Sequence, residues 1–231
     1  MPKQYLFSLQ RDELDQNLGG GIPEGSLILV EGENGAGKSI ICQRFAYGLL
    51  SNEKSVTFIS TQLTTRGFIN QMYSLNYPIS TYLLNKSLLF LPVVPLLKAS
   101  RSRLDFIDRL ISSEVLYETD VLVIDTISAM IKYSVDSEKS LELLDFFKKV
   151  AAGGKIIILS VDNGSLDNEV MSVFKTVCDI YFELKSKVMM GDIKRSIYVN
   201  KFIGAPGQVR GIVGFRVEPK VGLVVDISSV S

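Results

Sequence analysis

One short stretch constrains this chain more than any other: Gly32-Glu33-Asn34-Gly35-Ala36-Gly37-Lys38-Ser39. It fits the pattern G-x-x-x-x-G-K-[ST]. The stretch follows an apolar run, Ser26 to Val30, and opens a helical pattern, Lys38 to Leu50. A strand that turns through glycines into a helix forms a concave loop. Its backbone N–H groups point inward, and the helix offers its positive N-terminus to the same spot. That arrangement suits a polyphosphate. The pattern assigns Gly32, Asn34, Gly35, Ala36, Gly37, Lys38, Ser39 and Ile40 to nucleotide binding. Within it, Lys38 reaches the β and γ phosphates and the Ser39 hydroxyl ligates Mg²⁺.

The rest of the chain reads as the scaffold for such a loop. Leu27 to Val30, Val56 to Ile59, Leu88 to Val94, Val121 to Ile124 and Ile156 to Leu159 are nearly continuous apolar runs. Strands buried on both faces of a parallel sheet have this character. Helical patterns lie between them, with Phe68, Met72 and Leu75, then Leu104, Ile107 and Ile111, then Leu141, Leu144 and Phe147 on shared faces. The alternation predicts an α/β fold, a P-loop NTPase core with a mostly parallel sheet covered by helices on both sides. Toward the end, Ile180 to Leu184, Ser196 to Phe202, Ile212 to Val217 and Leu223 to Val225 are joined by short Gly- and Pro-bearing turns. They predict a C-terminal antiparallel extension of the same sheet. No linker or repeat interrupts the chain, so residues 1–231 read as a single domain.

A second polar signal closes the run Val121-Leu122-Val123-Ile124-Asp125. A carboxylate at the end of a buried strand is costly unless something compensates it. Beside a P-loop, that something is Mg²⁺, so Asp125 joins Ser39 as a metal residue.

Composition removes several function classes. The chain has no His, which excludes Ser-His-Asp and Cys-His catalysis and His-ligated metals. Its two cysteines, Cys42 and Cys178, supply neither a disulfide framework nor metal spacing and fit a reducing compartment. Lys+Arg and Asp+Glu are both 25, so no overall basic field invites nucleic acid. The most apolar stretch, Leu88 to Leu97, is short and carries Pro92 and Pro95, and the residues from Met1 to Leu14 do not read as a signal peptide. A cytoplasmic protein is expected.

Leu14-Asp15, then Leu18-Gly19-Gly20-Gly21-Ile22-Pro23-Glu24-Gly25-Ser26 and the P-loop, resemble the KaiC branch of the RecA superfamily. The tail narrows this. Lys201-Phe202-Ile203-Gly204-Ala205, Ile212-Val213-Gly214-Phe215-Arg216-Val217-Glu218-Pro219 and Gly222-Leu223-Val224-Val225 resemble the ATP-binding family of the archaeal flagellum (archaellum) motor, FlaH or ArlH. The resemblance implies a RecA-like core that binds ATP and Mg²⁺ and forms a homo-oligomeric ring at the motor's cytoplasmic base. It implies, as partners, the archaellum's secretion-type hexameric ATPase and the ring scaffold around it, with the membrane platform reached only indirectly. The chain departs in two places from the active KaiC pattern, which has a glutamate pair after the second core strand and a basic pair reaching a neighbour's γ-phosphate. Here Gln62-Leu63 stands for the first, and Lys201 with Ile203 for the second. Gln62 can hydrogen-bond a water but cannot take its proton, so slow or absent hydrolysis is expected. Glu33 and Glu31 are the other acids that could supply that role. Lys201 alone remains for a contact in trans.

Two other readings compete. A RecA-like recombinase or helicase would present a DNA-facing loop after the strand ending at Ser160. That segment, Val161 to Lys175, carries Asp162, Asp167 and Glu169 against only Lys175, which opposes a phosphate backbone. A single-domain KaiC-type signalling ATPase or autokinase is the nearer alternative. Ser228, Ser229 and Ser231 could serve it, although a frayed terminus explains them as well.

Overall fold

The computed structural model describes residues 3–93, 106–132, 137–189 and 191–226. In chain order its strands are β1 (Gln4–Tyr5), β2 (Ile22–Pro23), β3 (Leu27–Gly32), β4 (Val56–Ser60), β5 (Leu88–Pro92), β6 (Val121–Asp125), β7 (Ile156–Asp162), β8 (Ile180–Met189), β9 (Asp192–Phe202), β10 (Ile212–Glu218) and β11 (Gly222–Asp226). Its helices are α1 (Leu14–Asn17), α2 (Lys38–Ser51), α3 (Thr65–Ser74), α4 (Ser80–Leu84), α5 (Phe106–Ser112), α6 (Ile127–Ile131), α7 (Ser137–Ala152) and α8 (Asn168–Val177).

The apolar runs form the centre of one large sheet in the order β11-β10-β9-β8-β3-β7-β6-β4-β5. From β8 to β5 neighbouring strands are parallel, and from β8 to β11 they are antiparallel. The expected parallel core and antiparallel extension are both present. Successive side chains of a strand point to opposite faces. Ile28 and Val30 of β3, Val121 and Val123 of β6, and Ile156 and Ile158 of β7 therefore pack on one face, with Phe45 of α2 and Phe68 of α3. Leu27, Leu29, Leu122, Ile124, Ile157 and Leu159 pack on the other, with Phe147 of α7 and Phe174 of α8. Because both faces are covered, the strands read as unbroken apolar runs.

Helix α2 is buried on nearly every side, including Arg44 at 0% exposure. The N-terminal segment lies across it, placing Phe7, Leu14 and Leu18 in the core. Arg44 meets both oxygens of the buried Asp12 carboxylate, at 2.7 and 2.6 Å, and donates to the Phe7 carbonyl at 2.9 Å. A side chain at Gly48 would collide with that carbonyl, so glycine is what lets the segment approach. This layer, and the small antiparallel pair β1–β2 beside it, were not foreseen.

The extension is longer than the sequence suggested. β8 continues past Leu184 to Met189, and β9 begins at Asp192 rather than Ser196. The added residues mix lysines with single aliphatics, so they give no apolar run. Cross-strand backbone bonds hold them instead, with Lys187 opposite Lys194 and Val188 opposite Ile193. Val94, Leu104, Ser228, Ser229 and Ser231, which entered the sequence argument, lie outside the described residues. Among the described residues no helix is long and apolar enough to cross a membrane.

Candidate functional site

The loop after β3 turns into α2 through glycines. Gly35 and Gly37 hold φ of 82° and 102°, values that L side chains rarely adopt. No side chain caps the N-terminus of α2 at Gly37, so the amides there keep no side-chain acceptor. Space is short as well. A Cβ on Gly37 would sit 3.0 Å from the Phe215 ring of β10. The extension is therefore pressed against the loop.

The Lys38 side chain is only 5% exposed, and its ammonium is engaged. It donates to the carbonyls of Gly32 at 2.8 Å and Glu33 at 2.9 Å and lies 2.9 Å from the Asp162 carboxylate. Asp162 closes β7, and its N–H bonds the Ser128 hydroxyl at 3.1 Å. The sequence argument placed Asp162 in an acidic loop turned against DNA. The structure turns its carboxylate inward as the counter-charge of Lys38, and that part of the argument is corrected.

Asp125 ends β6 at 1% exposure. Its Oδ1 accepts from the Ser160 hydroxyl at 2.7 Å, while Oδ2 is buried without a hydrogen-bond partner. Burial holds the carboxyl above the usual carboxylate range, outweighing the Ser160 and Ser39 hydroxyls and the Lys38 charge that favour ionisation. A buried oxygen with nothing to bind, beside the Ser39 hydroxyl, suits a hard divalent cation, and Mg²⁺ fits these residues.

Gln62 reaches the same edge of the sheet because the ends of β4 and β6 are tied together. Thr61 N–H bonds the Asp125 carbonyl at 2.8 Å, and Thr126 N–H bonds the Thr61 hydroxyl at 3.1 Å. The Gln62 amide then lies 3.4 Å from the Thr126 hydroxyl. A cavity of about 300 Å³ is lined by Asn34, Gly35, Gly37, Lys38 and Ser39 of the loop together with Gln62.

Ile40 and two residues that sequence reasoning missed complete the wall: Arg195 of β9 and Val217 of β10. Arg195 Nε donates to the Gly35 carbonyl at 3.1 Å. Nothing near either residue in the sequence announces it. Only the register of β9 and β10 carries them to the loop, and that register would have been the signal. Together they add a cation and an apolar surface to a site otherwise made of backbone and small polar groups.

Five candidates stand elsewhere. Gly32 and Ala36 support the loop from inside: a Cβ on Gly32 would meet Leu184 at 2.9 Å, and Ala36 is buried. Glu31 is buried away from the cavity, accepting from the Tyr181 hydroxyl and pairing with Lys175 at 2.9 Å. Burial and that carboxylate push the Tyr181 hydroxyl far above its ordinary pKa. The Glu33 side chain is exposed and does not line the cavity. Lys201 donates to the carbonyls of Thr176 at 2.9 Å and Cys178 at 2.5 Å, at the end of α8 and outside the cavity.

Comparison with known proteins adds relatives to this geometry. The family model described as "ATPase: KaiC" matches residues 12–225. The archaeal flagellar ATP-binding protein FlaH of Methanocaldococcus jannaschii is 43% identical over 97% of this chain and 97% of its own. The protein of the same description from Methanococcus voltae is 36% identical over 99% of this chain and 100% of its own. The crystal structure of the flagellar accessory protein FlaH from Methanocaldococcus jannaschii superposes with a TM-score of 0.91 at 41% identity, covering 98% of this chain and 100% of that one.

Proposed function

From a chain that belongs to the KaiC ATPase family, in its FlaH branch, we propose an ATP-binding component of the archaeal flagellar motor that holds Mg·ATP and hydrolyses it slowly or not at all. One observation carries the reading. The glycine-turned loop, Lys38 and Ser39 line one cavity, and the Asp125 carboxylate, with its unpartnered oxygen, lies beside Ser39 and Lys38 of that lining. The α2 amides and Lys38 bind the phosphates, and Lys38 exchanges the loop carbonyls and Asp162 for phosphate oxygens. Ser39 and Asp125 hold Mg²⁺, which supplies charge neutralisation on the phosphates. Ile40 and Val217 offer an apolar wall, and Arg195 a further cation beside Gly35.

Hydrolysis needs a water placed in line with the terminal phosphate and somewhere for its proton to go. Gln62 can orient that water. No carboxylate stands in its place, Glu31 is committed to Tyr181 and Lys175, and Glu33 faces outward. The nucleotide then acts as a structural ligand governing assembly, as a homo-oligomeric ring and with the flagellar hexameric ATPase and ring scaffold at the cytoplasmic face of the membrane. Residues 1–231 act as one domain in this reading. A trans role for Lys201 requires its ammonium to leave the α8 carbonyls.

Thermal melting with and without Mg·ATP is the test. At a hundred times its dissociation constant a ligand adds about 2.7 kcal/mol, roughly 5–10 °C for a domain of this size. Lys38→Ala should lose that shift, and an equal shift in parent and variant sinks the assignment. Mass distributions with and without Mg·ATP test the assembly role.

A further inference from the structure

Strand β7 sends two side chains to the phosphate end of the sheet. Ser160 and Asp162 are two residues apart, so they share a face with Ile156 and Ile158, the face that α2 covers. Asp162 is the counter-charge of Lys38. Ser160 is fully buried, and its hydroxyl donates to Oδ1 of Asp125 at 2.7 Å. The main chain of both partners is already fixed. Ser160 lies opposite Val30 in the β3–β7 ladder, and the Asp125 carbonyl accepts from Thr61 N–H at 2.8 Å. What remains is rotation of the Asp125 carboxylate about its own side-chain bonds, and the bond from Ser160 opposes that rotation.

Two other groups beside this carboxylate favour its charge, the Ser39 hydroxyl and the Lys38 ammonium. Both are claimed when ligand binds, Ser39 by the metal and Lys38 by the phosphates. Ser160 does not line the cavity, so no ligand atom competes for its proton. It can therefore hold Asp125 in the same way before and after loading.

We infer that Ser160 is a positioning residue for the metal: by occupying Oδ1 it fixes the carboxylate with Oδ2 left to ligate Mg²⁺. The inference rests on the proposed Mg·ATP site and adds to it a residue outside the cavity. Without the Ser160 hydroxyl, both oxygens of a buried carboxylate lack that fixed donor, and the group is free to turn toward Ser39 and Lys38, which the ligand needs. Outer partners of metal ligands commonly cost 10–100-fold in metal affinity when removed.

The test is calorimetric titration of ATP into the full chain, once with Mg²⁺ and once with EDTA. The parent should bind more tightly with Mg²⁺. Ser160→Ala should lose roughly tenfold in the presence of Mg²⁺ and keep the parent's affinity in EDTA. A merely structural role would lower both affinities together. Ser160→Thr and Ser160→Val form a pair of matched shape that differs in the hydroxyl, and they carry the test if Ser160→Ala does not fold. The Thr variant should keep the gain from Mg²⁺ and the Val variant should lose it. A parent that binds ATP equally in Mg²⁺ and EDTA refutes the metal assignment itself, and the inference falls with it. A parent that shows the gain while Ser160→Ala keeps it overturns the role of Ser160 alone. So does an Ala variant weakened alike in both conditions, or a Thr and Val pair with equal gains.

Discussion

Replacing Asp125 by Asn separates what the carboxylate costs the fold from what it gives the ligand. The side chain is buried, and only one of its oxygens is satisfied, by Ser160. A buried acceptor left unpaired costs about 1–3 kcal/mol, and a charged one more. Burial already outweighs the Ser160 and Ser39 hydroxyls and Lys38, since the net effect raises the pKa. Asn keeps the shape and the acceptor for Ser160 and removes the charge. Its amide nitrogen inherits the unpaired position, so only part of the cost returns, about 1 kcal/mol. Without ligand, Asp125→Asn should therefore melt higher than the parent by roughly 2–4 °C. The sign of the pH dependence follows from the raised pKa. A carboxyl raised in the folded state imposes no penalty below its unfolded pKa and its full penalty above the folded one. The gap between variant and parent should be small in acid and grow as pH rises through that window. Mg·ATP should reverse the order, stabilising the parent and leaving the variant nearly unmoved. Differential scanning calorimetry across pH, with and without Mg·ATP, reads all of this. A ligand-free variant that melts below the parent at neutral pH refutes the reasoning, because the surrounding donors would then more than satisfy the carboxylate.

Gln62→Glu places a proton acceptor at the cavity edge, and steady-state phosphate release should rise; a tenfold gain corresponds to about 1.4 kcal/mol off the barrier. A parent that already turns over at about one per second, the scale of slower working enzymes, contradicts the silent-site reading. Asp162→Asn removes the counter-charge of Lys38 and should tighten ATP binding roughly fivefold, the worth of a partly exposed pair; unchanged or weaker binding in a nucleotide titration counts against that competition. Arg44→Ala strands the buried Asp12 carboxylate and should cost about 3–5 kcal/mol, measured by denaturant unfolding. A loss below 1 kcal/mol (about a fivefold change in the folding equilibrium) means the N-terminal layer does not depend on that pair.

The loop and its scaffold were legible because each is written locally. The glycines, Lys38 and Ser39 are contiguous, and Asp125 ends its own apolar run. The parallel strands announced themselves because both faces are covered. What stayed hidden depends on register or on long-range contact. Arg195 and Val217 reach the cavity only through the register of β9 and β10 within the antiparallel extension. Asp162 looked like a loop acid because its partner, Lys38, lies far away in sequence. Arg44 inside a helix reads as a solvated charge until Asp12 is found against it.

The order in which the cavity's parts leave the ribosome has a consequence for synthesis. Residues 34–40 emerge early, but β3 lies between β7 and β8, and Arg195 and Val217 arrive near the end. Pairing so distant in sequence is slow to form. A nascent chain that already carries an intact phosphate loop therefore has no finished pocket and no central partners for β3. The cavity wall is complete only in chains whose synthesis has passed β10, long after the phosphate loop itself has been made.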